Sequence, residues 1–266
     1  MFESVVLGLI QGITEWLPVS SEGVVTLAST TLFDNKSNES INIALWVHIG
    51  TAISAGVVFK SDIYRMITTF LKSPARPTPE VKFFITGMFV SACLGLPILI
   101  VMDYITSGET LKTNLSYAMG AIGICMVVTG LVLLKAKKSG IRLRSDVKIL
   151  DGIITGIAQG VSALPGLSRS GLTVSTMLAR GLDRREAFAL SFMLGIPATA
   201  GAGIYSALSG GIDLSIENIS ALLVALTSGI ITINILLRVA ERINFGAIVL
   251  SVGILLALSP IIDTAI

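Results

Sequence analysis

The most prominent pattern in this sequence is a series of long apolar stretches separated by short polar ones. Six windows contain no Asp, Glu, Lys or Arg: Ile43–Phe59, Phe83–Met102, Thr113–Leu134, Ala187–Ile212, Asn218–Leu237 and Ile243–Ile262. A helix needs about 20 such residues to cross the hydrocarbon core of a bilayer. The pattern therefore predicts an all-α integral membrane protein with six transmembrane helices.

Two further apolar regions are interrupted by polar residues. The first extends from Ser4 to Phe33 and is broken at residues 15–22, and the second extends from Gly152 to Ala179 and is broken around Arg169. Each half is too short to span a bilayer. A break at membrane depth leaves backbone groups without partners, and it is tolerated only where protein or a watery cavity satisfies them. Both regions are therefore predicted to be re-entrant helical hairpins that line a cavity.

The two broken regions resemble each other. The run Gln11–Thr14 is similar to Gln159–Ser162, and Pro18–Gly23 is similar to Pro165–Gly171 with one insertion. This predicts a single membrane domain over residues 1–266, composed of two repeats at 1–138 and 146–266. Because each repeat would contain three spans, an odd number, the second repeat must be inverted relative to the first. The broken tips are then expected to meet near the midplane.

Composition and charge support a membrane location and orient the chain. Hydrophobic residues make up 53% of the sequence and charged residues only 14%. If the N-terminus is outside, the outer segments contain two basic and ten acidic residues, and the inner segments contain 17 basic and seven acidic ones. Only this orientation satisfies the positive-inside rule. We expect a multi-pass plasma-membrane protein with both termini outside and with no nucleic-acid partner.

The residues at the two tips suggest phosphate chemistry. The first tip offers Glu15 and Ser21, a candidate base or metal ligand and a candidate nucleophile. In the second, Arg169 lies where a helix begins, and a helix N-terminus with an arginine favours a phosphate group. Glu15 and Arg169 could instead form a structural ion pair, and the serines could simply cap the tips.

The same tips resemble the motifs of a known family. The run Gln11–Gly23 resembles the (E/Q)xxxE…PxSSxG motif of undecaprenyl-diphosphate phosphatases, and Pro165–Thr173 matches their PGxSRSxxT motif throughout. The resemblance implies removal of the terminal phosphate from an undecaprenyl- or dolichyl-type diphosphate lipid, which regenerates the monophosphate carrier. It also implies a divalent cation, Mg²⁺ or Ca²⁺, and an active site open to the outer face.

The resemblance assigns roles to individual positions. It implies that Ser21 is the nucleophile, that Glu15 is the motif carboxylate and a metal ligand, and that Arg169 is catalytic. Contacts with the substrate are expected from Gln11, Ser20, Gly166, Ser168, Ser170 and Thr173.

The sequence departs from the family pattern at one position. Many members have a histidine where this chain has Val24, so the family's histidine-dependent mechanism does not transfer. The only histidine, His48, could reach the mouth of the cavity, but a core residue bonded to a backbone carbonyl is the favoured interpretation, and it is not a displaced copy of the motif histidine. Glu22 has two possible roles: it is either a second carboxylate that faces the metal or a solvated residue at the rim of the cavity.

Three alternatives remain at this point. A polyprenyl-phosphate translocator would use the same inverted-repeat site without hydrolysis. An anion channel is disfavoured because no ring of like charges lines the spans. A phosphatase could act either through a phosphoserine intermediate or through direct attack by a metal-activated water, and the same residues would serve both mechanisms.

The charge distribution predicts the side on which each loop lies. Cysteines placed at Ser37 and Ser209 should react with an impermeant thiol reagent from outside, and cysteines at Ser73 and Ser139 only from inside. The background for this measurement lacks Cys93 and Cys125. Labelling of positions 37 and 139 from the same side would contradict the inverted arrangement.

Overall fold

The computed structural model describes residues 1–33, 37–107, 115–135, 140–164, 166–208, 214–239 and 245–258, and these residues form α-helices without a β-sheet. The helices are α1 (Phe2–Thr14), α2 (Ser21–Phe33), α3 (Ser37–Trp46), α4 (His48–Val58), α5 (Lys60–Lys72), α6 (Pro79–Ser107), α7 (Leu115–Lys135), α8 (Ile149–Val161), α9 (Arg169–Ala179), α10 (Arg184–Leu208), α11 (Ile216–Val239) and α12 (Phe245–Ala257).

Several helices have the length and composition of membrane spans. Within the described ranges, four are long and apolar enough to cross a membrane: Ser40–Val58, Pro79–Val101, Arg184–Leu208 and Ile216–Val239. The first combines α3 and α4 across a turn at Val47. Four others are apolar but shorter: Phe2–Thr14, Gly120–Lys135, Ile149–Val161 and Phe245–Ala257. The chain is an all-helical, multi-pass membrane protein.

Both predicted interruptions are real breaks between helices. The first separates α1 from α2, and the second separates α8 from α9. Gly166 has φ +88°, a backbone conformation that L side chains rarely adopt, so this turn requires glycine. Ser168 then caps α9 by accepting a hydrogen bond from the backbone N–H of Gly171. Arg169, expected inside the interruption, is the first residue of α9.

The first helix of each broken region, α1 or α8, packs on a long helix from the other half of the chain. On α1, Gly8 and Gly12 face the backbone of α11, where a methyl group on either would collide with carbonyl oxygens. On α8, the glycines at 152, 156 and 160 face the backbone of α6 in the same way. Glycines four residues apart let helix backbones approach closely, which is how apolar helices associate when water provides no driving force.

The main hydrophobic core lies directly beneath the first tip. Trp16 is fully buried and packs edge-to-face on Phe192, with ring centroids 5.0 Å apart. Phe188 continues this aromatic stack between Phe192 and Phe245. The rings give the residues on either side of Trp16 a rigid base.

Ion pairs hold the predicted inner loops together. The buried carboxylate of Asp151 accepts hydrogen bonds from Arg142 at 2.6 Å and from Arg180 at 2.7 Å. This hydrogen bond from Arg142 to Asp151 raises the pKa of the guanidinium, which shows that the bond favours its charged form. The helix α5, which the sequence pattern did not predict, lies in this same charged region.

The glycine contacts predict a stability defect with a matched control. Gly156 lies against the backbone of Gly87, whereas Gly201 on α10 has open space around the position of a Cβ atom. Gly156→Leu should push α8 from α6 and cost roughly 1–3 kcal/mol, as overpacking commonly does. Thermal unfolding of the detergent-solubilised protein should therefore shift down for Gly156→Leu and remain near wild type for Gly201→Leu. Equal midpoints for the two variants would contradict the close approach.

Candidate active site

A buried carboxylate joins the two broken regions. Glu15 follows the last residue of α1 and is almost completely buried. Its Oε2 accepts hydrogen bonds from Gln11 Nε2 at 2.9 Å and from Ser21 Oγ at 2.6 Å. Its Oε1 accepts one from Arg169 Nη2 at 2.5 Å. Four of the residues predicted for the site thus form one network.

Ser21 has the surroundings of a nucleophile. It is the first residue of α2, so its hydroxyl lies where backbone N–H groups lack partners within the helix. A hydroxyl that donates to a carboxylate can pass its proton there as it attacks. Ser20 is also buried, but within the described part of the chain it has no comparable carboxylate contact, and its Oγ lies beside Gly23.

The guanidinium of Arg169 is held on several sides. Besides Glu15, it donates to the Ser191 carbonyl at 3.4 Å and lies 5.8 Å from the centre of the Trp16 ring. It also packs on Gly195, where any Cβ atom would overlap it. A guanidinium has five N–H donors, so donors remain for a phosphate after these contacts. The roles of Ser191 and Gly195 depend on contacts between separate helices and were not predicted.

Three residues expected to bind substrate have structural partners. Ser168 caps α9, and Ser170 Oγ donates to the Leu17 carbonyl at 2.7 Å, which ties the second tip to the first. Thr173 Oγ1 bonds to the Arg169 carbonyl at 2.8 Å and to Ser191 Oγ at 2.6 Å. The contacts of these hydroxyls are therefore those of structural residues that cap and join the tips. Gly166 contributes the turn before α9.

His48 fulfils both interpretations of its position, because it contacts the backbone and also lies in the site. Its Nδ1 bonds to the Ala44 carbonyl at 2.6 Å, so the expected backbone contact is present. Its Nε2, however, lies 3.3 Å from Glu15 Oε2. Because Nδ1 faces a carbonyl and must donate to it, Nε2 can bond to the carboxylate only when the ring carries both protons, as an imidazolium. The site therefore contains an imidazole although position 24 lacks one.

Position 24 belongs to a different surface. Val24 lines a small apolar groove between α2, α7 and α12, together with Gly23, Leu27, Ile122 and Leu256. Its neighbour Glu22 is half-buried and close enough to His48 and Glu15 to interact electrostatically with both. Glu22 is thus nearer to the network than a residue at a solvated rim would be.

A hard cation beside Glu15 would have to share its ligands with a phosphate rather than occupy a cage made by protein alone. Among the described residues, no group of three or more His, Cys, Asp or Glu is arranged to hold a metal ion. Gln11 Oε1, however, is buried and finds no hydrogen-bond partner in the described ranges, although the nitrogen of the same amide donates to Glu15. Mg²⁺ characteristically takes one or two protein oxygens together with substrate phosphates.

The arrangement combines the elements that phosphoryl transfer requires. A hydroxyl, a carboxylate that can receive its proton and an arginine lie in one contact network. Two helices, α2 and α9, begin at its edges, and helix N-termini favour anions. Little water reaches the buried carboxylate, so charges interact more strongly here than in bulk solvent.

Comparison with known proteins identifies the family of this chain. The sequence profile of the family described as Bacitracin resistance protein BacA matches residues 4–256. A protein of Methanococcoides burtonii named undecaprenyl-diphosphatase is 34% identical, over 97% of both chains. A protein with that name from Haloarcula marismortui is 33% identical, over 92% of both chains. Another from Methanopyrus kandleri is 34% identical, over 98% of this chain and 96% of its own. The chain therefore belongs to the BacA family.

Proposed function

We propose that this protein is a polyprenyl-diphosphate phosphatase that removes the terminal phosphate of an undecaprenyl- or dolichyl-type diphosphate. The observation that carries the proposal is the hydrogen bond from Ser21 to Glu15, with Arg169 on the other carboxylate oxygen. The names of the relatives support the substrate class. They also favour hydrolysis over the alternative of a polyprenyl-phosphate translocator, which would have no use for an activated serine.

In this mechanism, Ser21 Oγ attacks the terminal phosphorus while Glu15 accepts the hydroxyl proton. The bond from phosphorus to the bridging oxygen breaks, and the polyprenyl monophosphate leaves. Arg169 stabilises the charge on the transferring phosphoryl oxygens, as a planar guanidinium does well. Water then hydrolyses the phosphoserine and releases inorganic phosphate. Direct attack by an activated water would use the same residues.

We further propose that a divalent cation, Mg²⁺ or Ca²⁺, binds with the substrate. Glu15 and the unpartnered Oε1 of Gln11 would hold it together with diphosphate oxygens. When bound, such a cation neutralises part of the negative charge on the phosphates.

The apolar groove beside the site would accommodate the start of the lipid tail. It begins at Gly23, two residues after Ser21, and continues along Val24 and Leu27 toward α7 and α12. Apolar surface next to a phosphate site suits a ligand with a charged head and a hydrocarbon chain. This would explain a valine where many family members have a histidine.

The remaining architecture completes the proposal. Two re-entrant hairpins and six spans would form inverted repeats with the site open to the outer face of the plasma membrane. The reciprocal packing of α1 on α11 and of α8 on α6 supports such a repeat, because each hairpin helix meets the second long helix of the other half. The repeat boundaries stay a prediction.

Phosphate release from a polyprenyl diphosphate tests the function and the nucleophile together. Purified wild type should release phosphate, and EDTA should abolish the release if a cation is required. Ser21→Ala should lower the turnover number by orders of magnitude with little change in KM. Ser20→Ala, the adjacent control, should cost roughly tenfold at most, the value of a lost hydrogen bond.

Each outcome of this experiment separates two mechanisms or functions. Full activity in Ser21→Ala would eliminate the covalent route and leave attack by water. Lipid binding without any phosphate release by the wild type would instead favour a translocator.

Replacing Arg169 by lysine distinguishes phosphate binding from a structural ion pair. Arg169→Lys keeps the charge beside Glu15 but loses the planar fork that can bond two phosphate oxygens. We expect at least about a tenfold loss of turnover, equivalent to roughly 1.4 kcal/mol in the activation barrier. An unchanged melting temperature should accompany the loss. Near-normal turnover would show that Arg169 serves only as the counter-ion of Glu15.

A further inference from the structure

Among the described residues of the predicted inner loops, the helix α5 is strongly amphipathic. It begins at Lys60, directly after the span Ser40–Val58 and the intervening Phe59, and ends at Lys72. None of its residues is fully buried. The helix therefore emerges from the end of a membrane span and lies on the surface of the protein.

Two sides of α5 have partners within the protein. Ile63 and Met66 pack against the main hydrophobic core. On the polar side, Arg65 pairs with Asp62 at 3.0 Å and with Glu80 at 3.1 Å. These contacts fix the rotation of the helix about its own axis.

The third side is apolar and uncovered. Tyr64, Ile67 and Leu71 are 72%, 52% and 69% exposed. At about 100° per residue, these three positions lie in one stripe next to the packed side chain of Ile63. The protein thus covers only part of the apolar arc of α5, and the uncovered part favours an apolar environment.

Basic residues border this stripe. Lys60 and Lys72 stand at the two ends of α5, and Arg76 follows in the next loop, all three exposed. Asp62 and Glu80, the acidic residues of this segment, are already paired with arginines. The uncompensated charge around the stripe is therefore positive, which attracts anionic lipid headgroups.

We propose that α5 lies in the headgroup region of the bilayer at the end of α4. Tyr64, Ile67 and Leu71 insert at the boundary of the acyl chains, and Lys60, Lys72 and Arg76 bind anionic phospholipid headgroups. A second copy of the chain is a poorer occupant, because a two-fold contact through this stripe would bring the lysines at its ends toward like charges.

Fluorescence quenching by brominated lipids tests this placement in the full-length protein, independently of hydrolysis. Cysteines replace Ile67 or, as the matched control, Ser61, which lies about 120° around the helix on the polar side. Cys93 and Cys125 are first replaced by alanine, and the new cysteine carries an environment-sensitive fluorophore. The protein is reconstituted in phosphatidylcholine–phosphatidylglycerol vesicles. Brominated acyl chains should quench the label at 67 at least about threefold more than the label at 61.

The headgroup preference is measured in the same samples. Brominated phosphatidylglycerol should quench the label at 67 more than brominated phosphatidylcholine at equal content. The double substitution Lys72→Gln/Arg76→Gln, or high salt, should remove that difference. Equal quenching of the labels at 67 and 61 would overturn the insertion. A label at 67 that is shielded from water but quenched by neither lipid would also overturn it, because a second copy of the chain would then cover the stripe. Equal quenching by the two lipids would overturn the anionic headgroup site.

Discussion

The ion pair between Glu15 and Arg169 is the interaction on which the rest of the site depends. Each residue ends or begins a short helix beside a break in the backbone, in a chain whose surroundings are apolar. An isolated charge in such a place is very costly, but the cost falls when an opposite charge and hydrogen bonds satisfy it. The pair therefore holds the two broken regions together while keeping a carboxylate and a guanidinium ready for a ligand.

Close packing supplies the rigidity that this polar network needs. Glycines let α1 and α8 approach long helices of the opposite half, and the aromatic stack under Trp16 supports the first tip. Gly195 leaves the space that the Arg169 guanidinium occupies. Small residues in this fold thus act on function indirectly, because they fix where the charged groups can lie.

An imidazole lies beside Glu15 although the motif histidine is absent. Val24 faces an apolar groove, whereas His48, from a separate helix, directs Nε2 at the same carboxylate that Ser21 contacts. Gln11 donates a hydrogen bond to this carboxylate from α1, and His48 approaches it from α4. A family motif assigns residues by spacing along one segment, so it cannot register a side chain that reaches the site from another.

The sequence by itself determined the helical membrane architecture, the two breaks, and the membership of Glu15, Ser21 and Arg169 in one site. These follow from local properties: the length of apolar runs, the cost of charge at membrane depth, and motif spacing. Only the tertiary structure decided that Ser168, Ser170 and Thr173 are engaged by the protein, that His48 joins the site, and that α5 has an uncovered side. Those facts depend on which helices meet, and contacts between distant segments are not encoded in any one segment's pattern.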